Sequence, residues 1–195
     1  MSVAFDATTA LIVVDVQNDF ALPTGALYVS GGEQIISFVN DAVSEAEEAG
    51  ALIVYTQDWH PPSTPHFSKD GGIWPVHCIA ETWGADFHAG LDVVGPTVRK
   101  GTRGEDGYSG FTVRDPRTGN DHATGLERLL HRQEVTRLVV VGLATDYCVK
   151  DTVIDGCRAG FAVTVLADGI RAVGLEPGDG ARAIAAMVAA GAHIA

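Results

Sequence analysis

The chain has 195 residues and a formal net charge of −12 at pH 7, a length that suits one α/β domain, residues 1–195, with a core that needs neither disulfide nor metal. The acidic balance excludes nucleic acid and anionic membrane as partners, since neither is held by a surface without basic clusters, and leaves a small, neutral or weakly charged substrate. Cys78, Cys148 and Cys157 cannot all pair and have no Cys-x-x-Cys spacing, the opening residues carry no basic run, and no apolar stretch approaches a membrane span, which together predict a reducing, cytoplasmic setting and leave a homo-oligomer open.

Residues 10–15 form a short apolar run ending in a carboxylate, the pattern of a first central strand that presents Asp15 at its C-terminal end. A loop follows, and Ser30 and Glu33 have the spacing of a capping box ahead of a helix in which Ile35, Ile36, Val39, Val43 and Ala46 share one face up to Gly50. Residues 51–57 read as a second strand. The stretch from Asp58 to Cys78 is irregular and rich in histidine and aromatic residues, a composition that argues against disorder.

Residues 93–100 predict a third strand with Lys100 at its end, and the glycine-punctuated residues 101–110 predict a flexible loop that matches no phosphate-binding fingerprint. A helix is expected over residues 121–134, with Leu126, Leu129 and Leu130 on one face. The β-branched run from Arg137 to Val141 breaks at Gly142 and turns through small and polar residues to Cys148. Thr145 or Asp146 can cap a helix running from there to Gly160. Cys148 then sits in the first helical turn, where unpaired N–H groups and the dipole favour thiolate and can hold an oxyanion. Residues 161–168 continue as a strand, Pro177 suits the start of an Ala-rich helix closed by Gly191, and residues 192–195 form a terminal edge strand. Alternating strands and helices predict a three-layer α/β/α fold with a mostly parallel sheet.

Asp15, Lys100 and Cys148 each lie at or just past a strand's C-terminal end, so one sheet edge collects a carboxylate, an ammonium and a thiol. That set suits acyl transfer from sulfur without a histidine base: the lysine lowers the thiol pKa, and the aspartate takes and returns a proton. Asp58, His60, His66 and His77 crowd the loop after the second strand. Nitrogen and oxygen donors without thiolate suit zinc, iron or manganese. His88, His122, His131 and His193 read as surface or structural residues.

Taken in order, Asp15-Val16-Gln17-Asn18-Asp19-Phe20, Asp58-Trp59-His60-Pro61, His66-Phe67, Trp74-Pro75-Val76-His77-Cys78, Lys100-Gly101, Tyr108-Ser109-Gly110-Phe111 and Gly142-Leu143-Ala144-Thr145-Asp146-Tyr147-Cys148 resemble the nicotinamidase/pyrazinamidase family of isochorismatase-like cysteine hydrolases. The resemblance implies hydrolysis of nicotinamide to nicotinate and ammonia in NAD salvage. It implies a catalytic set of Asp15, Lys100 and Cys148, one divalent metal on Asp58, His60, His66 and His77, and Phe20, Trp74 and Tyr108 around the pyridine ring. It also implies a cis bond at Leu143-Ala144, with the Ala144 and Cys148 N–H groups as the oxyanion hole. Two departures stand out: Tyr147 in place of a common histidine, and a longer loop at residues 102–106. The rival readings are a sister amidase acting on another aromatic or carbamoyl amide, and a non-catalytic metal-binding module on the same fold.

Overall fold

The computed structural model describes residues 3–195. In chain order the elements are β1 (Thr9–Val14), a one-turn α1 (Asn18–Ala21), α2 (Ile36–Glu48), β2 (Leu52–Asp58), β3 (Thr97–Lys100), β4 (Thr112–Arg114), β5 (Asp121–Ala123), α3 (Leu126–Arg132), β6 (Arg137–Leu143), α4 (Lys150–Arg158), β7 (Ala162–Arg171), α5 (Asp179–Ala189) and β8 (His193–Ile194). Six strands form a sheet in the order β3-β2-β1-β6-β7-β8, and every pairing in it is parallel. β1 and β6 read as unbroken apolar runs because both sheet faces are covered.

Alternation along the strands divides the core. Leu11 and Val13 of β1, with Ile53, Tyr55, Val139 and Val141, pack against Val39, Val43 and Ala46 of α2. Ala10, Ile12 and Val14, with Val54 and Val140, face the other way onto Leu126 and Leu130 of α3, Val153 of α4 and Met187 of α5. Two layers of helix therefore enclose one sheet, the three-layer architecture expected from the alternating pattern. Strand order reverses between β1 and β6, and the crevice outside the strand ends at such a switch point is where open α/β sheets collect function. No helix among the described residues is long and apolar enough to cross a membrane.

Several local expectations are corrected. The Ser30/Glu33 capping box does not form: Glu33 accepts the Tyr28 hydroxyl at 2.7 Å, and a short 3-10 turn, Gly32–Ile35, leads into α2 instead. The third strand is confined to Thr97–Lys100, because Val93 and Val94 are exposed beyond the sheet edge. Of the helix expected over residues 121–134 only Leu126–Arg132 is helical, and Asp121–Ala123 instead pairs antiparallel with Thr112–Arg114. The turn between these strands is built by Asp115, whose Oδ1 accepts from the Arg117 and Thr118 N–H groups at 2.7 and 3.2 Å.

Candidate active site and metal centre

Strand termini deliver the three reactive groups to one place. Asp15 follows β1 in the left-handed region at φ 48°, a conformation aspartate tolerates better than most residues. Its Oδ1 accepts the Thr56 hydroxyl at 2.6 Å. Lys100 Nζ lies 2.9 Å from Asp15 Oδ2, off the line of a true hydrogen bond, so that buried oxygen has no aligned donor. The same ammonium donates to Asp58 Oδ1 and to Cys148 Sγ at 3.5 Å. One oxygen each of Asp15 and Asp58 and the Cys148 sulfur lie within 4.8 Å of one another. The expected convergence of Asp15, Lys100 and Cys148 is present, and Lys100 stands at its centre.

Burial governs the electrostatics of this trio. It opposes the Lys100 charge, but the Asp15 and Asp58 carboxylates outweigh it and hold the ammonium well above its ordinary range. Burial raises the Asp15 carboxyl, with the Lys100 charge opposing and Asp58 adding. It also pushes the Cys148 thiol well up, against the pull of Lys100. The expected lowering of the thiol by helix dipole and lysine is thus overturned: desolvation of the sulfur and two nearby carboxylates exceed the help of one ammonium.

Beside the trio, one ring nitrogen each of His60, His66 and His77 lies within 4.8 Å of the others. Asp58 divides its oxygens, giving Oδ1 to Lys100 while Oδ2 lies 3.7 Å from His60 Nε2 and 3.8 Å from His77 Nε2. Burial pushes His77 down to about 4 despite Asp58 and the Pro75 carbonyl, so its imidazole is neutral at pH 7 and free to be a ligand. Burial also opposes the Asp58 charge, yet Lys100, His60 and His77 hold that carboxyl well below the usual range. Both His60 ring nitrogens are buried without any hydrogen-bond partner, a costly state for a polar group unless something else engages it. Three clustered imidazoles, an ionised carboxylate and the orphaned nitrogens of His60 fit a divalent transition-metal cation.

The sulfur arrives by a different route from the one expected. After β6 the Leu143-Ala144 bond is cis. The following five residues, Thr145–Val149, form a π-turn in which Val149 N–H donates to the Ala144 carbonyl at 3.1 Å, and α-helix begins only at Lys150. Neither Thr145 nor Asp146 caps this turn. Asp146 instead accepts the Val173 and Gly174 N–H groups at 2.9 and 2.8 Å, tying the loop after β7 to the turn.

Above the sulfur lies a small cavity lined by Ala144 and Cys148, by Phe20, Trp74 and Tyr108, and by His66, His77 and Asp58. All three aromatic residues singled out in the sequence face it. Tyr108 accepts the Trp74 indole N–H at 2.9 Å, and burial pushes its phenol up to about 12. Asp15, His60 and Lys100 sit behind this lining, buried beneath the floor.

Other residues of the site escaped the sequence reading. Tyr147, noted there only as a departure, completes an aromatic wall with ring centroids 4.9 Å from Trp74 and 5.2 Å from Tyr108. Thr56 lies inside β2 and donates to Asp15. Asp106 Oδ1 lies 2.6 Å from His66 Nδ1, and that contact with the histidine holds its carboxyl down. Its loop is not loose: Asp106 and Arg114 exchange backbone hydrogen bonds at 2.8 and 2.6 Å. The one available signal for Thr56 was its period-two alternation, which puts it on the side of the strand opposite Tyr55.

Residues 9–195 match the Isochorismatase domain. The chain is 35% identical to the nicotinamidase of Escherichia coli over 203 aligned positions, covering 95% of this chain and 93% of that one. Its fold superposes on PnC1 from L. infantum in complex with nicotinate with a TM-score of 0.90 at 35% identity, covering 100% of this chain and 96% of that one. It superposes on the pyrazinamidase of Pyrococcus horikoshii in complex with zinc with a TM-score of 0.85 at 39% identity, covering 96% and 98%.

Proposed function

The chain belongs to the isochorismatase family, and on that premise we propose that it is an amidohydrolase converting nicotinamide to nicotinate and ammonia, a step of NAD salvage, through a thioester on Cys148. Pyrazinamide-type analogues fit the same description. The observation that carries this reading is the meeting of the Cys148 sulfur, the Lys100 ammonium and the Asp15 carboxylate under a small, aromatic-walled cavity with His66, His77 and Asp58 in its lining.

Phe20, Trp74, Tyr108 and Tyr147 offer flat faces and edges to an aromatic ring. Asp58, His60, His66 and His77 would hold a divalent cation, zinc, iron or manganese, which would supply Lewis acidity for a ring nitrogen. The carboxamide then lies over Cys148. As the sulfur attacks the amide carbon, Asp15 takes the thiol proton; its desolvation makes it a stronger base than an aspartate in water. Lys100 balances the charge that develops on sulfur. The N–H groups of Ala144 and Cys148 hold the oxyanion, and Asp15 returns its proton to the departing nitrogen, so that ammonia leaves and a thioester remains. Water deprotonated by Asp15 then cleaves the thioester, giving nicotinate and restoring the thiol.

The neutral, compact substrate matches a chain of net charge −12, and the three unpaired cysteines suit a reducing cytoplasm. Ammonia release across a panel of nicotinamide, pyrazinamide, carbamoyl compounds and aliphatic amides tests the reading. Nicotinamide and pyrazinamide are expected to lead the panel, with a nicotinoyl adduct on Cys148 detectable by mass spectrometry during turnover. Nicotinamide no better than simple aliphatic amides overturns the assignment.

A further inference from the structure

We propose that Asp106 is a positioning residue of the cation site: its carboxylate fixes His66 in the Nδ1–H tautomer and turns the Nε2 lone pair toward the ion. The inference rests on reading Asp58, His60, His66 and His77 as cation ligands. Its basis is a contrast among the three imidazoles. His77 Nδ1 lies 2.7 Å from the Pro75 carbonyl, which can only accept, so that nitrogen carries the proton and Nε2 is left facing Asp58 Oδ2 at 3.8 Å. His66 Nδ1 lies 2.6 Å from Asp106 Oδ1. An ionised carboxylate is likewise an acceptor only, and it imposes the same tautomer. His60 has no partner on either nitrogen. Two of the three rings are thus oriented through Nδ1, one by main chain and one by a side chain that substitution can remove.

The loop is built to hold that carboxylate in place. Asp106 is locked to Arg114 of β4 by the reciprocal backbone pair at 2.8 and 2.6 Å, and its Oδ1 also accepts the Gly107 N–H at 2.8 Å. Thr64 Oγ1 donates to the Gly104 carbonyl at 3.1 Å and accepts the His66 N–H at 3.3 Å. One hydroxyl therefore joins the acidic loop to the backbone of the histidine it orients. The β4–β5 hairpin acquires a purpose as the support of a carboxylate-histidine pair. Such partners raise the basicity of the ligand and hold its ring plane, and their loss typically weakens metal binding by about 10- to 100-fold.

The experiment is a Zn²⁺ titration with a competing chelator on the full chain and on Asp106→Ala and Asp106→Asn, with no substrate present. Asp106→Ala is expected to bind Zn²⁺ about 10- to 100-fold more weakly. Asp106→Asn keeps an accepting oxygen at nearly the same volume, so it should fall between the two and it carries the test if the alanine variant does not fold. Nitrogen NMR of labelled histidines in metal-free protein supplies a readout that a merely structural role leaves unmoved: His66 should be the Nδ1–H tautomer in the parent and a mixture in Asp106→Ala. Zn²⁺ affinity within about twofold of the parent in both variants, or an unchanged His66 tautomer, overturns the inference. A parent that takes up no Zn²⁺ overturns it together with the ligand reading. Asp106-dependent affinity supports it whether or not nicotinamide is turned over.

Discussion

The Thr56 hydroxyl on β2 donates to Asp15 Oδ1 at 2.6 Å across two neighbouring strands, and both residues are fully buried. That hydrogen bond fixes which carboxylate oxygen faces the ammonium and the sulfur. Thr56→Val keeps the shape and removes the donor. Leaving a buried carboxylate oxygen unpaired costs about 1–3 kcal/mol, so urea denaturation should show a loss of that order, accompanied by a lower kcat with little change in KM.

Cys148 is the one thiol in the cavity lining, and the proposed mechanism places the acyl bond on it. Cys148→Ala should cut ammonia release from nicotinamide by on the order of 10⁴-fold or more, because the residual cavity and N–H groups cannot replace a nucleophile. Metal content by elemental analysis should stay at the parental level, since the sulfur contacts Lys100 and not the three histidines.

Gly101 adopts φ 79°, and a Cβ built on it would lie 2.5 Å from His60 Nδ1. Gly101→Ala therefore adds both backbone strain and a collision with a ring that no hydrogen bond holds. A stability loss of about 1–3 kcal/mol is expected, together with reduced metal content after dialysis; parental metal content in a folded variant would contradict the placement of His60.

Chelation should remove cation and turnover together, and His60→Ala or His77→Ala should lower both. Restoring activity with zinc, iron and manganese separately identifies the ion that serves. Undiminished hydrolysis of nicotinamide by protein shown to be metal-free would contradict the anchoring role.

Far from the site, Asp6 accepts hydrogen bonds from Thr8, Thr9 and Arg137, and the Thr8 hydroxyl first, with Arg137, holds its carboxyl well below the ordinary 3.8. A folded-state pKa below the unfolded one contributes stability above that ordinary value and loses it as pH falls below. Thermal melts of Asp6→Asn should therefore show a lower Tm than the parent at pH 7, and a gap that closes in strong acid.

What the sequence made legible follows from burial. β1, β2 and β6 are covered on both faces, so their apolar runs announce them, and Asp15 and Cys148 stand out as reactive residues past such runs, whereas Lys100 closes the largely exposed edge strand β3. β5 carries no such pattern because Asp121, His122 and Ala123 are all exposed, and helix propensity filled the gap wrongly. The Asp106 contact with His66 joins residues 40 positions apart; neither composition nor periodicity encodes it. The raised thiol was hidden for the same reason, since desolvation depends on what packs around the sulfur and not on its neighbours in the chain.

The π-turn over Thr145–Val149 sends consecutive side chains to different masters: Asp146 to the loop at Val173 and Gly174, Tyr147 to the aromatic wall, Cys148 to Lys100. That distribution depends on the extra residue a wide turn accommodates. Deleting one residue between Ala144 and Lys150 would restore ordinary helical pitch and rotate the sulfur off the sheet edge, whereas exchanging Tyr147 for another planar side chain leaves the geometry standing. Cys148 apart, the spacing of this segment is held more tightly than the identity of Tyr147, so natural variation and engineering alike should tolerate exchange of that side chain and reject insertions or deletions.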